Sequence, residues 1–364
     1  MFNHPTKNRV LMNVSRVLIA SLLGICSLAI AETNAHHEVK ISDPEHDTDG
    51  NTKQKIQHRL SPEIYTQNPF SNHQNTALLA KAPAPGSIAA ATSPISYHGG
   101  PVMGYLSKVV IIWYGNWNQT NGTDTASGKQ IIRDAIWGMA QQNLVNNYSG
   151  ITNGFSSNLG LYTQTGITFV TQASSSVITE FTQAASTKYG NKSMSDANVF
   201  ALVKAYAGAG DPNAIYLVLS SSDIAERSGF LSQYCGWHSF GSIGSNKVKY
   251  GFIGNPNKSL ASCAVQAISP NGNAAVDGMV SVIAHELVET VTDPLLNAWY
   301  NSAGSENSDM CSWTFGSQVQ RASNGAYWNV TLPTPNGGSR NYLLQRQLSA
   351  KDSKCYIDAT GPVQ

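Results

Sequence analysis

Two uninterrupted apolar runs constrain the fold of this chain more than any other sequence feature. Residues 109–114 and 214–219 contain no charged side chain and only aliphatic or aromatic ones. A strand that is apolar at every position is buried on both faces, as in a parallel sheet covered by helices on each side. These segments therefore predict two central strands of a layered structure.

Segments of helical spacing alternate with the predicted strands. We expect helices at 125–144, 195–207 and 276–291, and further strands at 167–171, 249–253 and within 326–357. Ser195 is a suitable N-cap for the second helix. This alternation predicts a single α/β layered domain over residues 95–364, with a central, mostly parallel sheet flanked by helices.

The first 94 residues differ from the rest of the chain in composition and hydrophobic pattern. After a positively charged start, residues 17–30 are apolar and end in a small-x-small site, which is typical of a secretory signal peptide over residues 1–31. The apolar segment is shorter than a stable membrane span, although an uncleaved anchor is the alternative. Residues 32–94 are polar and then rich in Ala and Pro, which predicts a disordered leader, either a propeptide or a spacer.

Charge and cysteine content narrow the functional class. The chain has 23 Lys+Arg and 22 Asp+Glu, with a net charge of +1 and no basic block, which argues against nucleic-acid binding. Four cysteines remain beyond the signal peptide, an even number suited to an oxidising compartment. They allow three pairings, of which Cys235–Cys263 with Cys311–Cys355 closes short loops. We predict a secreted protein, extracellular or periplasmic, with no membrane association after cleavage. Nothing in the sequence indicates an oligomeric state.

The third predicted helix carries the motif His285-Glu286-x-x-Glu289. Residues four apart lie on one helix face, so His285 and Glu289 can ligate one cation. Glu286 is rotated by about 100° and can reach a water molecule on that cation. This is the spacing of His-Glu-x-x-His metallopeptidases, with a glutamate in place of the second histidine.

Other polar residues could complete such a site. Glu306 and Asp309 precede Cys311, and either could be the third ligand. Asp293 follows on the same face of the helix and suits the orientation of His285 or of a partner backbone. His238, in a predicted disulfide-anchored turn, could be a further ligand or stabilise an oxyanion. His98 suits a turn or a packing role.

The residues thus predict a secreted metal-dependent hydrolase, most simply a zinc peptidase with Glu286 as general base. Calcium or manganese is also compatible with a carboxylate-rich site. The expected substrate is an extracellular peptide or a cell-wall polymer. The alternative is a non-catalytic extracellular protein with a structural or vestigial ion site, and a Glu286 held in an ion pair would favour it. The sequence contains no Gly-x-Ser-x-Gly elbow, which argues against a serine hydrolase. No glycine-rich phosphate loop follows a predicted strand, which argues against nucleotide binding.

The segments Tyr97-His-Gly-Gly-Pro-Val102 and Val109-Val-Ile-Ile-Trp-Tyr-Gly115 resemble the EXORDIUM-like, phosphate-induced protein family, and the likeness extends over most of residues 95–357. Cys235–His238 and Asn271–Met279 continue it. The resemblance implies a secreted, cell-wall-associated protein linked to growth, and it implies no particular reaction. The family pattern of a His-Glu-x-x-Glu helix, a Pro-Leu-x-Asn-Ala-Trp-Tyr segment and an acidic stretch ending in Cys falls on His285, Glu286, Glu289, Pro294, Leu295, Asn297, Ala298, Trp299, Tyr300, Glu306, Asp309 and Cys311. At Asp293 the plant members more often have Asn, which argues against an essential role for that carboxylate.

Overall fold

A six-stranded sheet forms the centre of the protein. The computed structural model describes residues 95–103, 105–106, 108–141, 168–169, 178–316, 319–348 and 353–356, and three earlier strands at 45–46, 52–53 and 56–59. The predicted signal peptide lies outside the described residues. Within the predicted leader, those three short strands are the described part. No helix in the described part of the chain is long and apolar enough to cross a membrane.

The strands and helices follow in chain order. The strands are β1 Glu45–His46, β2 Thr52–Lys53, β3 Ile56–Arg59, β4 Ser96–Tyr97, β5 Tyr105–Leu106, β6 Lys108–Tyr114, β7 Thr168–Phe169, β8 Ile178–Gln183, β9 Ser193–Met194, β10 Ala214–Ser220, β11 Ala225–Glu226, β12 Tyr234–Ile243, β13 Asn246–Gly254, β14 Trp299–Tyr300, β15 Gln320–Arg321, β16 Tyr327–Trp328, β17 Val330–Pro333, β18 Ser339–Tyr342, β19 Gln347–Leu348 and β20 Cys355–Tyr356. The α-helices are α1 Ala126–Gln141, α2 Asp196–Tyr206, α3 Leu260–Cys263 and α4 Ala274–Thr292. Short 3-10 helices lie at Thr187–Tyr189, Pro256–Lys258 and Asp309–Cys311.

The central sheet has the strand order β3-β12-β13-β10-β6-β8. β13, β10, β6 and β8 pair in parallel, whereas β12 pairs antiparallel with both β13 and β3. The sheet is therefore mixed, and the prediction of a mostly parallel sheet was too simple. The reason is local, since Gly244 with a φ of 58° lies in the two-residue connection that joins β12 to β13 as an antiparallel hairpin.

Helices cover both faces of the sheet, as the two apolar central strands predicted. α1 and α4 pack on one face and α2 on the other, each with its own apolar core. Ser195 caps α2 in a capping box with Asn198, which confirms the predicted helix start. The predicted helix over 125–144 is observed from Ala126 to Gln141, and residues 142–144 lie outside the described part.

Helix α4 is enclosed on all sides. It packs against the sheet on one side, and Leu332, Tyr342 and Leu344 of the C-terminal region belong to the same apolar core. Every residue from Ala275 to Thr292 is buried. Polar side chains on this helix therefore lie in the protein interior, where they need partners.

Two disulfides fix the segments around α4. Cys235 of β12 is bonded to Cys263 of α3, and Cys311 is bonded to Cys355 of β20. This is the pairing that closes the short loops, and such bonds are typical of an oxidising compartment.

Candidate metal centre

The last turns of α4 bring an imidazole and a carboxylate to one point. The Nε2 atom of His285 lies 3.1 Å from Oε1 of Glu289, one helical turn away. The same Nε2 atom lies 3.5 Å from Oδ1 of Asp309. His285, Glu289 and Asp309 each offer one donor atom, and these three atoms lie within 4.8 Å of one another. Such a group could hold a metal ion. The predicted pair on one helix face is thus found together with one of the two acids proposed as third ligand.

Asp309 is held in place by the segment that we call the ligand loop, residues 306–311. Its backbone N–H donates to Oε1 of Glu289 at 2.8 Å. Ser308 Oγ donates to the backbone oxygen of His285 at 3.3 Å and is hydrogen-bonded to Gln347. The loop ends at Cys311, whose disulfide ties it to β20. Contacts distant in sequence thus fix the position of the third donor.

His238 enters the cluster from β12. Its Nδ1 atom lies 3.0 Å from Oε2 of Glu286 and 3.7 Å from Oε2 of Glu289, and its Nε2 atom lies 3.3 Å from Oε2 of Glu306. His238, Glu286 and Glu289 form a second group of donor atoms within 4.8 Å of one another. Glu306 therefore faces His238, whereas Asp309 faces His285.

The segment around His238 is a strand, which corrects the predicted turn at Tyr234–His238. Glycine interrupts the apolar alternation that marks a strand in the sequence. The structure explains Gly236, because a Cβ atom at this position would lie 2.7 Å from Cγ1 of Val282 on α4. The missing side chain lets β12 approach the helix closely, and His238 two residues later reaches Glu286 across that contact.

The cluster is almost sealed from solvent. His238, His285, Glu286, Glu289 and Glu306 are each at most 1% exposed. The buried polar atoms of the cluster that have no hydrogen-bond partner include His238 Nε2, Glu289 Oε2 and both carboxylate oxygens of Glu306. In the described part of the chain, no Lys or Arg forms an ion pair with Glu289, Glu306 or Asp309. Buried carboxylates without donors are costly, and a cation would satisfy them.

Burial and mutual repulsion set the protonation states of the metal-free cluster. Burial, reinforced by the Asp309 charge, raises the pKa of Glu289 to about 7. Burial and four neighbouring carboxylates raise the pKa of Glu306 well above its usual value. Burial alone would lower the pKa of His285, but Glu289 and Asp309 outweigh it and raise that pKa to about 10. Burial, with the charge of His285, lowers the pKa of His238 to about 3, so this imidazole is neutral.

Asp293 and His98 have supporting positions. Asp293 follows the last residue of α4, and its Oδ1 accepts hydrogen bonds from the backbone N–H groups of Asn297 and Ala298 at 2.6 and 2.7 Å. It therefore orients a backbone segment, which was one of its two predicted roles. His98 stacks on Tyr300 with ring centroids 3.7 Å apart, which agrees with a packing role.

Gln347, which contacts the ligand loop, and its neighbour Gln345 were not found from the sequence. Gln345 and Gln347 are buried, and the Gln345 side chain accepts from the backbone N–H of Trp313 at 2.7 Å and donates to Ser281 Oγ at 3.3 Å. Gln347 contacts Ser308. Their sequence signal is weak and consists of the polar run Gln345-Arg346-Gln347 between apolar residues at 342–344 and 348.

Comparison with known proteins identifies the family. The model of the phosphate-induced protein 1 conserved region matches residues 95–357. The chain belongs to this family. Among its relatives is Protein EXORDIUM-like 3 of Arabidopsis thaliana, 32% identical over 306 residues, which cover 74% of this chain and 83% of that protein.

Further relatives agree with this membership. Protein EXORDIUM-like 5 of Arabidopsis thaliana is 28% identical over 69% of this chain and 74% of its own length. Protein PHOSPHATE-INDUCED 1 of Nicotiana tabacum is 28% identical over 39% of this chain and 54% of its own length. No solved structure matches the chain. The names of these relatives state no reaction.

Proposed function

We propose that this member of the phosphate-induced protein 1 family is an exported, metal-dependent hydrolase that cleaves polypeptides. One observation carries the proposal. His285, Glu289 and Asp309 place three donor atoms around one point, and a further carboxylate, Glu286, lies beside them on the same helix. Three protein ligands with an adjacent acid are the parts that metal-assisted hydrolysis requires.

The donor set favours zinc. An imidazole and two carboxylates suit Zn²⁺ or Mn²⁺, whereas Ca²⁺ prefers a set of oxygen donors only. Both oxygens of Glu306 and Oε2 of Glu289 lack hydrogen-bond partners. A divalent ion that displaced the protons of these carboxyl groups would balance their charge. Neutral His238 adds a second imidazole close to the same centre.

Glu286 and His238 would have different roles in hydrolysis. A divalent ion at this centre would polarise a water molecule and lower its pKa towards neutrality. With such an ion bound, Glu286 would accept a proton from the water molecule as the water oxygen bonds to the carbonyl carbon of the substrate. The amide C–N bond would then break, and Glu286 would return the proton to the leaving nitrogen. His238 Nδ1 is hydrogen-bonded to Glu286 Oε2 at 3.0 Å, so we assign His238 to positioning of the base, in place of the predicted oxyanion contact.

A structural ion site is the second candidate, and the burial of the cluster favours it. A closed site holds its ion without access for substrate, and structural metal sites have this character. In that case the ion would fasten α4 to the ligand loop, and Glu286 would serve only as a partner of His238.

Metal content and activity measured on the same variants separate the two candidates. We expect Glu286→Gln to retain the metal of the native full-length protein and to lose at least about 100-fold in hydrolysis of casein. We expect Glu289→Gln to lose both metal and activity. Full activity in Glu286→Gln would remove Glu286 from the mechanism. A metal-loaded protein that shows no hydrolysis, either as the full chain or after residues 1–94 have been cut away, would support the structural site.

A further inference from the structure

The leader contributes the outermost strand of the central sheet on the side of the metal centre. β3 pairs antiparallel with β12, with Gln57 opposite Trp237 and Ile56 opposite His238. Cα atoms of β3 also lie within 8 Å of Cα atoms of α4. The leader backbone therefore runs beside both elements that carry residues of the metal centre.

Without β3, the exposed edge of the sheet would be β12. This strand has 10 residues, and its pairing with β3 covers only the part from Tyr234 to His238. An edge strand presents a row of unpaired N–H and C=O groups, which bind an extended polypeptide by adding it to the sheet. The part of this edge that the leader occupies is the part beside the metal centre.

The charge of the segment around β3 is opposite to that of the centre, although the leader as a whole holds more acids than Lys and Arg. Residues 52–59 read Thr-Lys-Gln-Lys-Ile-Gln-His-Arg, with three permanent cations and no acid. The centre gathers four carboxylates, those of Glu286, Glu289, Glu306 and Asp309. Charge complementarity of this kind favours the encounter and fixes the register of a bound segment.

We propose that β3 is an autoinhibitory strand, which occupies the sheet edge beside His238 where a basic, extended polypeptide substrate binds. That the bound polypeptide is a substrate rests on the proposed function, whereas its binding to the edge of β12 does not require hydrolysis. On this account β3 blocks the approach to the cluster along this edge of the sheet, and displacement of β3 opens it.

A proline in the leader strand of the full-length chain tests the proposal. Gln57→Pro removes a backbone donor and disfavours the β3–β12 ladder, and Gln57→Val is the matched control because it preserves the backbone and favours a strand. A labelled peptide with the sequence of residues 52–62 serves as the probe. We expect it to bind Gln57→Pro at least about tenfold more tightly than the native chain or Gln57→Val. In the native chain and in Gln57→Val, the chain's own β3 competes with the peptide for β12 at an effective concentration of about a millimolar. Amide hydrogens of residues 236–238 should also exchange faster in Gln57→Pro.

Equal peptide affinity and unchanged exchange in all three proteins would overturn the proposal. Should Gln57→Pro fail to fold, the native chain is folded and then cut at a protease site placed in the Ala/Pro-rich segment 79–94, and peptide binding is compared before and after the cut. Casein hydrolysis is followed in parallel. If Gln57→Pro or the cut chain binds the peptide more tightly and none of the proteins hydrolyses casein, the binding site on β12 is supported and the hydrolase is refuted. Equal hydrolysis with unchanged peptide binding would retain the hydrolase and refute autoinhibition.

Discussion

Two buried acidic clusters lie close to the central sheet, and they differ in one respect. Asp124 lies near the carboxyl ends of β6, β10 and β13, and its oxygens accept hydrogen bonds from Ser222, Asn255, Asn121 and Gln119. Glu306 in the candidate metal centre is equally buried, yet neither of its oxygens has a hydrogen-bond partner. Burial of an acid therefore does not itself indicate a ligand site. The absence of donors does, because it leaves charge that only a cation or a proton can balance.

The largest expected effect separates the two clusters by their metal dependence. Glu289→Gln should weaken zinc binding by more than about 100-fold, because even loss of a supporting residue costs 10–100-fold. Asp124→Asn should leave zinc binding unchanged and lower the free energy of unfolding by about 3 kcal/mol. The new side-chain NH₂ group would point at hydrogen-bond donors that now bond to a carboxylate oxygen. Zinc titration and urea denaturation of both variants measure the two quantities. Equal loss of zinc in both variants would remove the distinction.

A pH series sharpens the same comparison. In the metal-free protein, the raised pKa values of Glu289, Glu306 and His285 mean that the folded state holds more protons than the unfolded state above neutral pH. The free energy of unfolding should therefore fall between pH 7 and pH 9, by about 1.4 kcal/mol per pH unit for each extra proton held. His238, with its lowered pKa, acts in the opposite sense only below about pH 6.5. In saturating zinc the ligands stay deprotonated, and the slope should be smaller. An identical slope with and without zinc would contradict this account.

The two disulfides offer an intermediate test. Replacement of either cysteine pair by serine should lower the free energy of unfolding by about 2–4 kcal/mol. Only loss of Cys311–Cys355 should also weaken zinc binding, by about tenfold, because this bond anchors the ligand loop. Loss of Cys235–Cys263 is the matched control, and calorimetric zinc titration of both double variants gives the comparison. Equal weakening in both would show that the anchor of the ligand loop has no special role.

The sequence predicted those features that depend on residues close together in the chain. The all-apolar strands at 109–114 and 214–219 and the capping box at Ser195 are local patterns, and so is the His285–Glu289 pair on one helix face. β12 was missed because Gly236 and Gly241 interrupt its alternation, although Gly236 is there to admit α4. The choice between Glu306 and Asp309 was not accessible either. It depends on the ligand loop, which is held by Gln347 and by a disulfide to Cys355.

The smallest expected effect is a control on the far face of the sheet. Ser195→Ala removes the N-cap of α2 and should lower the free energy of unfolding by about 1 kcal/mol. α2 packs in the apolar core opposite that of α4, so zinc affinity should not change. A change in zinc affinity here would mean that the centre responds to general loosening of the fold.

X-ray absorption of the zinc-loaded, full-length protein tests the central claim most directly. The account predicts one imidazole and carboxylate oxygens at about 2.0–2.2 Å from the metal, a signal that Glu289→Gln abolishes and Asp124→Asn preserves. A protein with both disulfides intact that takes up no divalent cation, or whose metal spectrum is unaffected by Glu289→Gln, would contradict it.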